Sequence, residues 1–144
     1  MPQTDIVAKI HQVASMAGIK GQRQGDLLSY GWDFGDGRDQ TIYVAPFAET
    51  DDGLNVICFF SPCQQLGTGF LSGMSKQVAI QLLRTNAELE FGHFAVMKLG
   101  GDEMICVRAT QILETMEVQE FEQKCLAVAR LADAWEEKIG KNEF

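Results

Sequence analysis

The sequence predicts one α+β domain, residues 1–144, in which a mostly antiparallel sheet packs with three helices. Segments with apolar residues at every third or fourth position alternate with segments in which they recur at every second position, as expected for helices and strands. Because the chain has no strand–helix–strand units of about 30 residues, neighbouring strands should run antiparallel. The predicted order is α-β-β-β-α-β-β-α, and its length of 144 residues is typical of a single domain.

The first half of the chain predicts a helix followed by a three-stranded meander. Thr4 is a good N-cap, apolar residues follow it at helical spacing, and Gly18 is placed to end the helix. Residues 19–25 contain two glycines among polar residues, which predicts a loop. Pro46 should end the second strand of the meander. The three strands are predicted over 28–34, 40–47 and 54–60, and the third is apolar on both faces, which indicates a buried central strand.

The second half predicts a helix, a hairpin and a long final helix. Residues 61–73 contain one proline and three glycines, which favours a connection, and Ser75 is placed to cap the helix that follows. Gly100-Gly101-Asp102 forms the predicted turn of the hairpin. The final helix should begin near Glu117, where Glu120 completes a capping box, and end at Gly140. Its predicted core face contains Phe121, Cys125, Val128, Ala132, Trp135 and Ile139.

The charge and composition exclude several classes of function. The chain has 20 acidic and 12 basic residues, a net charge of -8, so its surface should repel nucleic-acid phosphates. No secretory signal is visible at the N-terminus, and the longest apolar run, 56–60, is far shorter than the roughly 20 residues of a membrane-spanning helix. We therefore expect a cytoplasmic protein that binds neither nucleic acid nor membrane.

The four cysteines are unevenly spaced and form no CxxC pair, which argues against a zinc site or a redox motif. Cys58, Cys106 and Cys125 lie within apolar patterns, where a reduced cysteine acts as a small hydrophobic residue. Cys63 follows a proline in the predicted connection, so it should be the one thiol that solvent reaches. We expect a structural or neutral role for all four.

The residues that could carry chemistry are few. Asp36, Asp39, Asp51 and Asp52 occupy two predicted turns, where carboxylates could bind a cation weakly but where turn formation also favours aspartate. His93 has no second ligand at metal-binding spacing. We therefore expect no catalytic residue, no cofactor and no metal ion. The alternative is a small-molecule sensor or small enzyme with a site near these aspartate-rich turns.

Three segments resemble a known fold group. Residues 82–86 read Leu-Leu-Arg-Thr-Asn, residues 92–94 read Gly-His-Phe at the start of the hairpin, and Phe121 precedes Ala-Asp-Ala-Trp at 132–135 in the final helix. Together with the element order they resemble the type III secretion chaperone-like group. The chain looks closest to its YbjN-like members, which are described as sensory-transduction regulators, and is also similar to the Tir chaperone-like proteins. The matching motifs cover residues 78–140.

The resemblance implies a non-enzymatic protein-binding or chaperone-like module that forms a homodimer. The second helix or the neighbouring hairpin, 91–112, is the predicted dimer contact. Asn86 ends the apolar stripe of that helix and is expected to cap its C-terminus. The strand over 28–34 also has an unusually aromatic face. The residues predicted to form a partner or dimer surface are Val78, Leu82, Leu83, Asn86, Tyr30 and Trp32.

Overall fold

The computed structural model describes residues 3–67 and 74–139, and this part of the chain is an α+β domain with three helices and one six-stranded sheet. All pairs of neighbouring strands are antiparallel, and the strand order across the sheet is β1-β2-β3-β4-β6-β5. The elements are α1 Gln3–Met16, β1 Gly21–Gln24, β2 Leu27–Gly35, β3 Arg38–Glu49, β4 Asn55–Gly67, α2 Lys76–Asn86, β5 His93–Leu99, β6 Asp102–Ile112 and α3 Val118–Ile139. The predicted fold class is confirmed.

The hydrophobic core lies on one face of the sheet, between the strands and the helices. Alternate residues of β2, β3, β4 and β6 point to this face and pack with residues of α1, α2 and α3 in one buried cluster. At its centre the ring of Phe121 from α3 meets Tyr30 and Phe59 edge-on, with centroids 5.7 and 5.3 Å apart. Val128 and Trp135 are buried in the same cluster, as the periodicity of the final helix predicts.

Local signals at the helix ends explain where the helices begin and stop. At the end of α1, Gly18 has a φ of +74°, and the backbone N–H groups of Gly18 and Ile19 donate to the carbonyls of Ser15 and Ala14, closing the helix as predicted. The hydroxyl of Ser75 accepts from the backbone N–H of Val78 and caps α2. α1 begins at Gln3, so Thr4 lies within the helix instead of capping it.

The capping box and the hairpin turn are also observed. The backbone N–H of Glu117 donates to the carboxylate of Glu120 over 2.8 Å at the start of α3. Gly100 and Gly101 both have positive φ, which the tight turn between β5 and β6 requires. Gly140, the predicted end of the last helix, lies outside the described residues.

The sheet is larger than predicted. Residues 21–24, predicted as loop, form the edge strand β1, so the element order is α-β-β-β-β-α-β-β-α. Pro46 does not end β3, which continues to Glu49. The pairing with β4 is interrupted by a bulge between Pro46 and Ala48, next to the residue that has no backbone N–H to donate. The predicted connection 61–73 is wrong for 61–67, which continue β4, while 68–73 lie outside the described residues.

β4 continues through Pro62 because side-chain hydrogen bonds replace part of the backbone hydrogen bonding between β3 and β4. The Nε2 of buried Gln40 donates to the Ser61 hydroxyl over 2.8 Å and to the Pro62 carbonyl over 3.0 Å. The hydroxyl of Ser61 in turn donates to the carbonyl of Thr41. A bulge between Pro62 and Gln64 then restores pairing with β6.

Candidate functional site

No helix in the described part of the chain packs on the face of the sheet opposite the core, although Cys58 and Cys106 on that face are buried. The residues that alternate with the core positions point away from all three helices and form what we call the open face. One row crosses the whole sheet, because each residue is the direct register partner of the next: Gln22, Ser29, Tyr43, Phe60, Arg108 and His93.

The centre of the open face is apolar. The rings of Tyr43 and Phe60 stack with centroids 5.4 Å apart, and both residues are only half-buried. Beside them is a shallow hollow of about 400 Å³, lined mainly by Leu27, Tyr43, Phe60, Pro62, Leu99 and Met104. Such a broad and weakly concave apolar surface is typical of a contact with another protein.

One cation lies within this apolar surface. The guanidinium of Arg108 is 4.8 Å from the ring centroid of Phe47, a side chain that is 59% exposed. The Nη2 of Arg108 is buried and has no hydrogen-bond partner among the described residues. Cys58 lies nearby, and its pKa is raised by burial although Arg108 acts in the opposite direction. The thiol is therefore protonated at neutral pH, and no nucleophile is created here.

A second apolar surface lies between α2 and β5, and we call it the edge groove. It has a volume of about 220 Å³ and is lined by Met74, Ala79, Leu82, Leu83, Asn86, Phe94, Ala95, Val96 and Ile105. Leu83 and Val96, at its rim, are 69% and 51% exposed. Two large aliphatic side chains thus stand in solvent on facing elements.

The predicted surface residues on α2 line or flank this groove. Val78 is half-buried, Leu82 is buried in the core cluster, and Leu83 is exposed. Asn86 does not act as the predicted cap, because the C-cap is Ala87 in a right-handed conformation. Its amide instead donates to the carbonyl of Phe94 over 3.0 Å and accepts from the Phe94 N–H over 2.8 Å, which ties α2 to β5.

The two aromatic residues predicted on the same surface lie elsewhere. Tyr30 is fully buried against Phe121, because the aromatic face of β2 points to the core, so it is no part of a contact surface. Trp32, next along that face, is half-buried and packs at the edge of the core beside Leu126 of α3. The aromatic face of β2, which the sequence predicts to be part of a contact surface, points to the core instead.

The aspartate-rich turns do not meet. Asp36 and Asp39 lie at the start of β3, whereas Asp51 and Asp52 follow its end, and a strand of that length separates them by roughly 35 Å. Among the described residues, no group of three or more His, Cys, Asp or Glu side chains is placed to hold a metal ion. The hollow near Asp36 also contains Arg38, which is paired with Asp133 at 2.9 Å.

The other two candidate reactive groups are also far from forming a site. Cys63 is fully buried in β4 rather than reachable, its thiol donates to the carbonyl of Ile105, and burial raises its pKa far above the usual value. His93 is exposed at the start of β5, on the open face. Neither contacts the aspartate-rich turns.

The open face was missed because of one ambiguous pattern. Val56 to Phe60 is apolar at every position, and this was interpreted as burial on both faces. Ile57 and Phe59 point to the core, whereas on the other side Cys58 is buried and Val56 and Phe60 are half-buried. Burial on both faces is therefore correct at Cys58 but not at Val56 and Phe60, and continuous apolar character does not distinguish the two outcomes.

No known protein-family model matches this chain, and no curated protein matches it either. The resemblance to the type III secretion chaperone-like group therefore stays a prediction. None of the helices in residues 3–67 and 74–139 combines the length and apolar composition needed to cross a membrane.

Proposed function

We propose that the protein is a non-enzymatic protein-binding or chaperone-like module that acts in the cytoplasm, and that another protein surface covers its open face. The observation that carries this proposal is the stacked pair Tyr43 and Phe60, which lies on the side of the sheet that no described helix covers. Contiguous apolar surface that is partly exposed, as at these two rings, is typical of interaction sites in stable soluble proteins. Four free cysteine thiols are consistent with a reducing compartment.

The shape of the open face favours a protein over a small molecule. Small-molecule sites are concave and combine apolar walls with a few convergent polar groups. The hollow beside Tyr43 is shallow, its lining is mainly apolar, and no acidic, basic or histidine side chain is among its described lining residues. Flat apolar surfaces of sheets are instead buried by packing against another sheet or against helices, about 10 Å away.

A second copy of the chain is the proposed occupant of the open face. Two-fold homodimers are the commonest soluble oligomers, and sheets bury apolar faces by packing against one another. A specific dimer of this type should bury on the order of 1,200–2,000 Å² in total. The contact would include the outer face of the β5–β6 hairpin, which is one of the two contacts that the sequence predicts, and would leave the edge groove accessible.

Sedimentation equilibrium across micromolar concentrations tests the proposal. We expect a species of twice the chain mass of 16.0 kDa, and we expect Tyr43→Ser/Phe60→Ser to convert it to monomer. Leu83→Ser, on the exposed side of α2, is the matched control and should remain dimeric. A 16.0 kDa species at every concentration would refute the dimer. Dissociation by Leu83→Ser, but not by Tyr43→Ser/Phe60→Ser, would show that the dimer interface lies on α2 instead of the open face. Circular dichroism must show that each variant is folded.

A further inference from the structure

The edge groove has the form of a site for an extended peptide. One wall is the helix α2 and the other is β5, which is an edge strand of the sheet. Its lining is apolar apart from Asn86, whose amide is already bonded to Phe94. A helix beside a sheet edge forms the type of groove in which proteins add a partner segment as a further strand.

The backbone of β5 offers free hydrogen-bonding positions along this groove. In an antiparallel edge strand, alternate residues direct their N–H and C=O groups away from the sheet. Asn86 binds both backbone groups of Phe94, so the outward-facing residues are Phe94, Val96 and Lys98. Asn86 occupies the first of these positions. No other described residue of the chain forms a hydrogen bond with the outward backbone groups of the other two.

The two edges of the sheet differ strongly. β1, at the opposite edge, is only four residues long, and its sequence Gly-Gln-Arg-Gln is polar. A short polar strand of this type discourages pairing with other chains. β5 is seven residues long and presents Val96, 51% exposed, beside the free backbone. Only one edge of this sheet is therefore suited to receive another strand.

The charges around the groove indicate the chemistry of the partner. The chain has 20 acidic and 12 basic residues, yet neither α2 nor β5 contains an acidic one. Lys76 and Arg84 are exposed on α2 and form no ion pair among the described residues, whereas Lys98 on β5 lies directly opposite the exposed Glu103 of β6. Glu88 and Glu90 lie in the connection between α2 and β5. The α2 wall of the groove thus has positive charge on a negatively charged protein, which favours acidic partners.

We propose that β5 accepts an extended apolar segment of a partner protein, flanked by acidic residues, as a seventh strand in the edge groove. Alternate side chains of the segment pack on Leu83 and Val96, and its backbone pairs with Val96 and Lys98. Its acidic ends lie near Lys76 and Arg84 on α2. This site is separate from the open face, so it stands or falls independently of the dimer.

Fluorescence anisotropy with designed peptides tests the inference. The probe is a labelled peptide of alternating valine and threonine with two aspartates at each end, and its counterpart has lysines in place of the aspartates. Val96→Pro is the diagnostic variant, because it removes an outward N–H that the ladder with β6 does not use. Val96→Thr retains that N–H and serves as its control. Lys76→Glu/Arg84→Glu tests the charges, with Lys20→Glu/Arg130→Glu as the matched double reversal elsewhere.

We expect the aspartate peptide to bind at least about tenfold more tightly than the lysine peptide. Val96→Pro and the double charge reversal should each weaken binding by about tenfold or more, while both controls stay within about threefold. Bound peptide should slow amide hydrogen exchange at Val96 and Lys98. Equal affinity for both peptides, unchanged binding by folded Val96→Pro, or no binding at millimolar peptide would each overturn the inference. Concentration-dependent protection of these amides without peptide would show that a second copy occupies the edge instead.

Discussion

The rings of Tyr43 and Phe60 stack at a centroid distance of 5.4 Å and an interplanar angle of 24° across β3 and β4, on the side of the sheet away from the helices. Their neighbour Phe59 points to the opposite face and is fully buried against Phe121. Two consecutive phenylalanines of one strand therefore differ in what covers them. Phe59 is fully covered by this chain, whereas the described residues cover Phe60 only in part.

This difference predicts unequal costs of truncation. At low protein concentration, Phe59→Ala should lower the free energy of unfolding by about 3–5 kcal/mol, because it opens a cavity in the core. Phe60→Ala should cost only about 1–2 kcal/mol, since less apolar area is removed from a half-buried ring. Urea denaturation measures both. If the open face is a dimer interface, the cost of Phe60→Ala should rise with protein concentration.

Trp135 provides a direct test of the core. It is 7% exposed, its ring centroid is 5.7 Å from that of Phe94, and its Nε1 donates to Gln64 Oε1 over 2.9 Å. Trp135→Ala should therefore cost about 3–5 kcal/mol, a large share of a typical stability of about 5–15 kcal/mol. Trp32→Ala, at the half-buried second tryptophan, should cost clearly less. A loss below about 1 kcal/mol for Trp135→Ala would show that α3 packs through a different face.

The cysteines should be unreactive in the native protein. All four are buried, and burial raises the pKa of Cys106 and of Cys125 to about 12. A chromogenic disulfide reagent at pH 8 should label none of them until denaturant is added, and then all four. Rapid labelling of one thiol in folded protein would contradict the burial of Cys63 in particular.

The raised thiol pKa values also predict alkaline destabilisation. An unfolded cysteine ionises near pH 8.5, whereas native Cys106 ionises only near pH 12, so between these values the unfolded state binds fewer protons. The stability that the neutral thiol contributes is complete below about pH 8.5 and falls as the pH rises towards 12. Cys106→Ala should reduce this slope, which urea denaturation at several pH values would reveal.

Glu114 predicts a second pH effect, at the acidic end. Partial desolvation raises the pKa of the Glu114 carboxyl. Hydrogen bonds from the backbone and side chain of Asn55, at 2.8 and 2.6 Å, lower this pKa by a larger amount, so the net pKa is below its usual value. Its contribution to stability should be complete above about pH 5 and be lost as the pH falls below about 4.3. Glu114→Gln should flatten the acid limb of the stability profile, whereas Glu122→Gln, at an exposed position on α3, controls for loss of one surface charge.

The parts of the fold that the sequence predicted depend on local chemistry. Gly18 ends α1 by adopting positive φ, Ser75 caps α2, and Glu120 completes the capping box of α3. Each of these signals acts within a few residues, so it can be read without knowing the rest of the structure.

The parts that were missed depend on contacts between distant segments. β1 has no apolar alternation, and it is a strand because it pairs with β2, where a side chain at Gly21 would collide with the ring of Tyr30. Asn86 is a residue type that often caps helices, but its side chain binds the backbone of Phe94, eight residues later in the chain. The face on which Tyr30 is buried is likewise decided by where α3 packs. None of these partners can be identified from local pattern.

The most direct test of the proposed function measures whether the open face is covered in solution. A soluble paramagnetic agent broadens NMR signals of exposed side chains, and the methyl groups of Met104 and Ile112 on this face can be followed at two protein concentrations. We expect their broadening to fall sharply at the higher concentration while that of Leu83 in the edge groove is unchanged. Equal broadening of Met104 and Ile112 at both concentrations, with protection confined to Leu83, would contradict the account.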